Sequence, residues 1–290
     1  MEHQALQNKV TLVECPRDAM QGWPVFIPTE EKISYLNTLL RVGFDVLDFG
    51  SFVSPKAIPQ MADTKEVLKG LNLENTETRL LAIVANTRGA EDAAAFEAIH
   101  YLGFPFSISE TFQKLNTNKS MEESLAQVGA MQNLCVQKDK ELVVYISMGF
   151  GNPYGDAYHP EIAAHWVEKL AGLGIRTIAL ADTVGMADAA TIRSLFRTLI
   201  PAFPDVHLGA HFHAAPNDWQ EKTAAAWQAG CRCYDSALKG IGGCPMSQQE
   251  LVGNLATEKL IGWLEEKSLP LALNKEALAE ALQLAGRIFQ

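Results

Sequence analysis

Two histidines two positions apart, in LGAHFHAAPND (208–218), raise the chemical question of this chain. His211 and His213 close an apolar run that reads as a β-strand, where residues i and i+2 share a face. Two imidazoles on one face are either half of a metal site or a pair of core histidines, and the spacing does not choose. Other polar groups stand just after other apolar runs. PRDAMQ (16–21) carries Arg17, Asp18 and Gln21, Asp48 precedes GSFVSPK (50–56) with Ser51, and ADTVG (181–185) carries Asp182 and Thr183. The glycine-rich LKGIGGCPMSQQELVGN (238–254) adds Lys239, Cys244 and Asn254. If they converge, the carboxylate of Asp18, the two imidazoles and an amide oxygen of Asn254 form a mixed O/N donor set without thiolate. Such a set suits Mg2+ or Mn2+ better than Zn2+. Arg17 beside the cation would stabilise a developing oxyanion. The Cys244 thiol, on a glycine-rich loop, would swing in as an acid or base.

Each residue has a plainer reading. An Arg-Asp pair after a strand is a common turn ion pair, and Asp18 can cap a helix. Asp48 can brace Arg17, Asp182-Thr183 can start a helix, and Cys244 can be an inert small residue. The glycines at 240, 242 and 243 can serve turn geometry alone. What these readings do not explain is why so many such residues follow strand ends.

The elements that must position them recur regularly. Strand-like runs are VTLVEC (10–15), DVLDFG (45–50), RLLAIV (79–84), FPFSIS (104–109), ELVVYIS (141–147), RTIALAD (176–182), VHLGAHFH (206–213) and CYDSAL (233–238). Helical patterns lie between them, such as 29–43, opening on Thr29 as N-cap and stopping at Gly43, and 160–174, stopping at Gly172 or Gly174. A last helix covers 274–289. Apolar strands alternating with amphipathic helices predict a parallel sheet, and eight such units in this length predict a closed (β/α)8 TIM barrel over an open doubly wound sheet. We read residues 1–290 as one barrel domain, with 266–290 as a C-terminal helical extension packed on it. In such a barrel, functional residues stand at the C-terminal strand ends and in the loops after them. The polar residues above fall there.

Composition narrows the function classes. The chain has 290 residues, 48% of them hydrophobic, and 24 Lys+Arg against 34 Asp+Glu give a net charge of −10. That balance argues against general nucleic-acid binding and against an anionic membrane surface. The five cysteines show no paired framework, which suits a reducing compartment. Cys231 and Cys233 have the wrong spacing for a zinc knuckle and read as core residues facing the same way on a strand. No apolar run reaches the length of a membrane span, and MEHQALQNKV lacks a signal core, so the expected location is cytoplasmic.

At these residues the sequence resembles the 3-hydroxy-3-methylglutaryl-CoA lyase family, within the metal-dependent barrel lyases and Claisen-type synthases. The matching stretches are VECPRDAMQ (13–21), SFVSPKAIPQMAD (51–63), NTNKSMEESL (116–125), ADTVGMA (181–187), HFH, KGIGGCP (239–245) and GNLATEKL (253–260). The resemblance implies a retro-Claisen cleavage of an acyl-CoA to acetyl-CoA and acetoacetate. It implies that Asp18, His211, His213 and Asn254 hold the cation, and that Arg17, Asp48, His211 and Cys244 carry the catalysis. It further implies that Gln21, Ser51, Asn86 and Thr183 contact substrate, that Asp182 and Glu258 support the site, and that the protein is a homodimer. Four departures stand out. Asp48 replaces a glutamate. Ala214-Ala215 replace Asp-Thr, whose loss is expected to loosen the histidines. Asn152 in GFGNPYG (149–155) replaces a cysteine, and the segment from Cys244 to Asn254 is one residue longer. They motivate a second expectation, a sister lyase or aldolase on a related 3-hydroxy acid or thioester. A barrel that binds an acyl-CoA without turnover is a third, and a condensing synthase a fourth.

Overall fold

The computed structural model describes residues 9–243, Ser247, Gln249 and 251–290. Eight strands close in sequence order into one parallel barrel: β1 Thr11–Glu14, β2 Val46–Ser51, β3 Arg79–Ile83, β4 Ile99–Ser107, β5 Glu141–Ser147, β6 Thr177–Asp182, β7 His207–Phe212 and β8 Cys233–Ser236. The closing pair is parallel, with Val13 beside Asp235 and Glu14 beside Ser236. The helices are α1 Pro16–Gln21, α2 Thr29–Val42, α3 Thr64–Lys69, α4 Thr87–Ala94, α5 Glu110–Thr117, α6 Met121–Gln137, α7 Pro160–Gly172, α8 Ala189–Ala202, α9 Trp219–Gln228, α10 Thr257–Glu266 and α11 Lys275–Ile288. Among the described residues no helix is long and apolar enough to cross a membrane.

The strands are buried on both sides, and their side chains divide between two cores. Leu47, Leu80, Val144, Ile178 and Leu208 point out toward the helices. Val13, Val46, Leu81, Val143 and Ala179 fill the barrel interior. This interior plug is a packed core, and the C-terminal rim above it is where such barrels carry their sites. β2 carries a register shift between Asp48 and Gly50 against β3, which re-aims the residues at its C-terminal end.

Several local expectations are corrected. β4 begins at Ile99, not at Phe104: Gly103 and Pro105, weak strand formers, hide a strand that pairs with β5 over seven positions. Thr29 is the first helical residue of α2, behind Pro28 at the cap, and its hydroxyl donates to Asp63 Oδ2 at 2.8 Å. Cys231 and Cys233 face different cores, because β8 starts only at Cys233: Cys231 lies in the outer core and Cys233 packs against the interior one. PRDAMQ, expected as a loop, is the short helix α1, with Pro16 in the first turn, where its missing N–H costs nothing. At the other end, Asn274 caps α11 by accepting from the backbone N–H of Glu276 and Ala277 at 3.1 Å. α11 packs along α2, with the Phe289 ring edge-on to Trp23 and Tyr35 at 5.2 and 6.2 Å.

Candidate active site

Arg17 and Asp18 enter the site because α1 starts directly on the C-terminal end of β1 and turns its first residues over the barrel mouth. The Arg17 guanidinium is held from both sides. Its Nε donates to Asp48 Oδ1 and Oδ2 at 3.2 and 3.0 Å, and its Nη2 to Asp48 Oδ2 at 2.5 Å. Its Nη1 donates to Asp18 Oδ1 at 2.9 Å and to Gln21 Oε1 at 2.8 Å. Gln21 also donates to Asp18 Oδ1 at 2.9 Å. The fork is therefore pinned edge-on by Asp48 and presents its Nη1 side to Asp18 and the cavity.

His211 and His213 project from the end of β7 with ring centroids 5.2 Å apart. Each has its Nδ1 taken. His211 Nδ1 lies 2.9 Å from Asp235 Oδ2, and His213 Nδ1 lies 3.0 Å from the Val252 carbonyl oxygen. A carbonyl only accepts, so the His213 proton sits on Nδ1 and its lone pair on Nε2. The Asp235 carboxylate imposes the same tautomer on His211. Ligand atoms of Asp18, His211 and His213 all lie within 4.8 Å of one another, and all three residues are buried. One carboxylate and two neutral-imidazole lone pairs at this separation fit a divalent cation. Cys15, His211 and Asp235 form a second such group. It fits less well: burial, and then the Asp235 and Asp48 charges, push the Cys15 thiol well up, so it stays protonated.

Charge is distributed unevenly. Burial raises the Asp48 carboxyl to about 6 even beside Arg17. For Asp18, burial raises but Arg17, His211 and His213 together outweigh it, and the pKa falls below the ordinary value. Burial, then the neighbouring His211, lowers His213 to about 4. For His211 burial lowers, yet the hydrogen bond and charge of Asp235 win and its pKa rises. Burial likewise opposes the Arg17 charge, and Asp48 and Asp18 overcome it.

Asn254 is brought to the same place, but with its nitrogen forward: Nδ2 donates to Asp18 Oδ2 and to the Ile241 carbonyl, both at 2.8 Å. Gly242 makes this approach possible. Its φ is +114°, and a Cβ there would lie 2.4 Å from Asn254 Nδ2 and 3.0 Å from the Asp18 carbonyl oxygen.

A cavity of about 200 Å3 opens over these groups. Arg17, Asp18, Gln21, Thr183, His211 and His213 line it, with Tyr145, Ser147 and Asn116 and apolar walls from Val53, Ile58, Ile83 and Ala181. Thr183 Oγ1 accepts from Met148 N at 2.9 Å. Ser51 and Asn86 are not in the lining. Ser51 is buried and donates to the Ile83 carbonyl at 3.3 Å, and Asn86 caps α4 by accepting from Gly89 N at 2.9 Å. Asp48 stands behind Arg17. Asp182 is buried under the rim against Lys222. Glu258 Oε2 accepts from Lys239 N at 2.9 Å. Cys244 lies outside the described residues.

Four participants escaped the sequence reading: Asp235, the Val252 carbonyl, Tyr145 and Lys222. Asp235 carried a signal, since it shares the inward face of β8 with Cys233 and sits beside His211 in register. Tyr145, whose ring lies edge-on to His211 at 5.7 Å, carried the same parity signal on β5. A backbone carbonyl and a helical lysine carry none.

Comparison with known proteins shows the family. The HMGL-like family model matches residues 9–285. The chain belongs to the HMGL-like family. The hydroxymethylglutaryl-CoA lyase YngG of Bacillus subtilis is 34% identical over 275 residues, covering 94% of this chain and 91% of that relative. The (R)-citramalyl-CoA lyase of Chloroflexus aurantiacus is 32% identical over 283 residues, 94% of this chain and 88% of its own. A solved HMG-CoA lyase from Acinetobacter baumannii, in complex with coenzyme A and 3-methylmalate, superposes with a TM-score of 0.90 at 29% identity, covering 98% of this chain and 92% of that one.

Within this HMGL-like barrel the departures acquire physical readings. The shorter Asp48 still makes a two-oxygen contact with Arg17. Ala214 does not leave the histidines without partners, contrary to expectation: the rings are held by Asp235 and Val252, and Ala214 N donates to the Gly253 carbonyl at 2.9 Å. Asn152 builds a turn, its Oδ1 accepting from Tyr154 N and Asp156 N at 3.1 Å.

Proposed function

We propose that this protein is a divalent-metal-dependent carbon–carbon lyase cleaving 3-hydroxy-3-methylglutaryl-CoA to acetyl-CoA and acetoacetate. The observation that carries the reading is the meeting of Asp18, His211 and His213 beside the pinned guanidinium of Arg17. Asp18, His211, His213 and Asn254 would hold the cation, Mg2+ or Mn2+. When bound, the cation supplies Lewis acidity that lowers the pKa of the substrate's tertiary hydroxyl.

The chain's own groups do the rest. The hydroxyl gives up its proton to a basic side chain of the site, the bond between the hydroxyl-bearing carbon and the methylene carbon beside the thioester breaks, and its electron pair passes to the thioester as an enolate, leaving acetoacetate as the other product. Arg17, kept cationic by Asp48 and Asp18, faces that oxyanion. The enolate carbon then takes a proton, an exchange that Cys244 serves. Gln21 and Thr183, which line the cavity, contact the substrate, and Asp182 and Glu258 brace the loops. The apolar walls seat the methyl group and exclude water. The same reading carries a cytoplasmic homodimer.

A second reading is a sister lyase on a citramalyl thioester. The similarity to a citramalyl-CoA lyase at 32% identity favours it. Purified protein with Mg2+ or Mn2+ is expected to release acetoacetate from the first thioester and to lose that activity on chelation. Release only from citramalyl-CoA transfers the proposal to the second reading. No release from either, with substrate bound, leaves an acyl-CoA-binding barrel.

A further inference from the structure

Lys222 is a buried cation beside the site to which the proposed function gives no role. It sits in the first turn of α9 and is 3% exposed. Its Nζ donates to Asp182 Oδ2 at 2.8 Å, to the Gly185 carbonyl at 2.8 Å and to the His213 carbonyl at 3.2 Å, with Asp218 Oδ2 at 3.1 Å. An ammonium has three hydrogens. Here they are spent on the last residue of β6, the turn after it, and the ligand-bearing end of β7.

A second arm of contacts reaches the same histidine. Gly185 has a φ of +72°, and a Cβ on it would lie 2.9 Å from Val252 Cγ1. Val252 in turn accepts the His213 Nδ1 bond, and Gly253 accepts from Ala214 N. So the main chain of His213 hangs directly on Lys222, and its ring hangs on Val252, which packs against the turn Lys222 holds. Ala214 and Ala215 follow His213 and bring no polar side chain to share this task.

We propose that Lys222 is a positioning residue of the metal site: by tying Asp182, Gly185 and His213 to one buried nitrogen, it seats His213 and the 252–254 segment for metal binding. This rests on the metal reading of the proposed function. Lys222 touches neither substrate nor the reacting atoms, and acts through the two arms alone.

The test must separate positioning from stability, because Lys222→Met alone strands the buried Asp182 charge. The double variant Lys222→Met/Asp182→Asn removes both charges together. Chelator-treated full-length protein is titrated with Mn2+ by calorimetry, and its Tm, kcat and KM are measured. Lys222→Met is expected to lose both Tm and Mn2+ affinity. The double variant is expected to recover most of the Tm yet keep a loss of about 10–100-fold in Mn2+ affinity, with kcat falling more than KM rises. Gly185→Ala, which changes no charge, is expected to weaken Mn2+ binding in the same direction through Val252. A double variant that binds Mn2+ like the wild type overturns the inference and makes Lys222 a stability residue. Wild-type protein that binds neither Mn2+ nor Mg2+ overturns the metal reading itself, and the inference with it.

Discussion

Glu14 and Asp18 are buried carboxylates four residues apart in the chain with opposite fates, and Asp48, one strand over, falls between them. Glu14 points outward from β1, is fully buried, and accepts hydrogen bonds from Leu238 N at 2.9 Å and from the Thr257 hydroxyl. Burial outweighs both bonds and carries its pKa from 4.5 to about 8, so it is largely protonated at neutral pH. Asp48 is as deeply buried but faces the Arg17 fork, and rises only to about 6. Asp18, within reach of Arg17 and both histidines, falls below its ordinary value. Burial alone makes a carboxylate neutral and structural; the Arg17 cation, with the hydrogen bond from Asn254 and the facing imidazoles, keeps Asp18 charged and available to bind a metal.

The sharpest way to break this contrast is Arg17→Gln. It removes the cation that faces the oxyanion and keeps Asp48 ionised, and kcat is expected to fall on the order of a thousandfold. Steady-state kinetics with Mn2+ affinity measured alongside checks it; an unchanged kcat would overturn the role of Arg17. Next comes the neutral partner. The folded pKa of Glu14 lies above its unfolded value, so the folded state holds a proton that the unfolded chain releases. That stability is fully present below about pH 4.5 and is lost as the pH rises to about 8, at about 1.4 kcal/mol per pH unit. Glu14→Gln is expected to flatten this slope in urea unfolding across the window, and parallel profiles would show that Glu14 ionises normally.

Asp235→Asn tests whether a carboxylate also acts at one remove. Weakening its hold on His211 Nδ1 is expected to cost about 10–100-fold in Mn2+ affinity, about 1.4–2.7 kcal/mol, by calorimetry. The smallest effect is expected at Asn86. As the cap of α4, Asn86→Ala should cost about 1 kcal/mol of stability with KM unchanged. A raised KM at constant stability would instead make Asn86 a substrate contact, as the family resemblance implies.

Much of the fold was legible because its signals are local. Buried parallel strands read as short apolar runs, and seven of the eight lie within about two residues of their expected starts. β4 is the exception, because Gly103 and Pro105 contradict a pattern that only pairing with β5 overrides. The site was legible where the residue type and the strand-end position coincide, as at Arg17, Asp18, His211 and His213. It was illegible where the contribution is a carbonyl, as at Val252, or a side chain reaching in from a helix, as at Lys222.

The sequence by itself determined the alternation of strand and helix, the parity that puts both histidines on one face, and the presence of one carboxylate and one guanidinium directly after β1. Only the tertiary structure decided which carboxylates those groups meet. Pairing of β8 with β7 brings Asp235 to His211, and closure of β8 onto β1 brings Asn254 to Asp18, across 24 and 236 residues of chain. It also turns Glu14 outward, away from every cation of the site. The reason is that the charge state of a buried acid depends on neighbours at hydrogen-bond distance, and closure of the barrel, not order along the chain, chooses those neighbours.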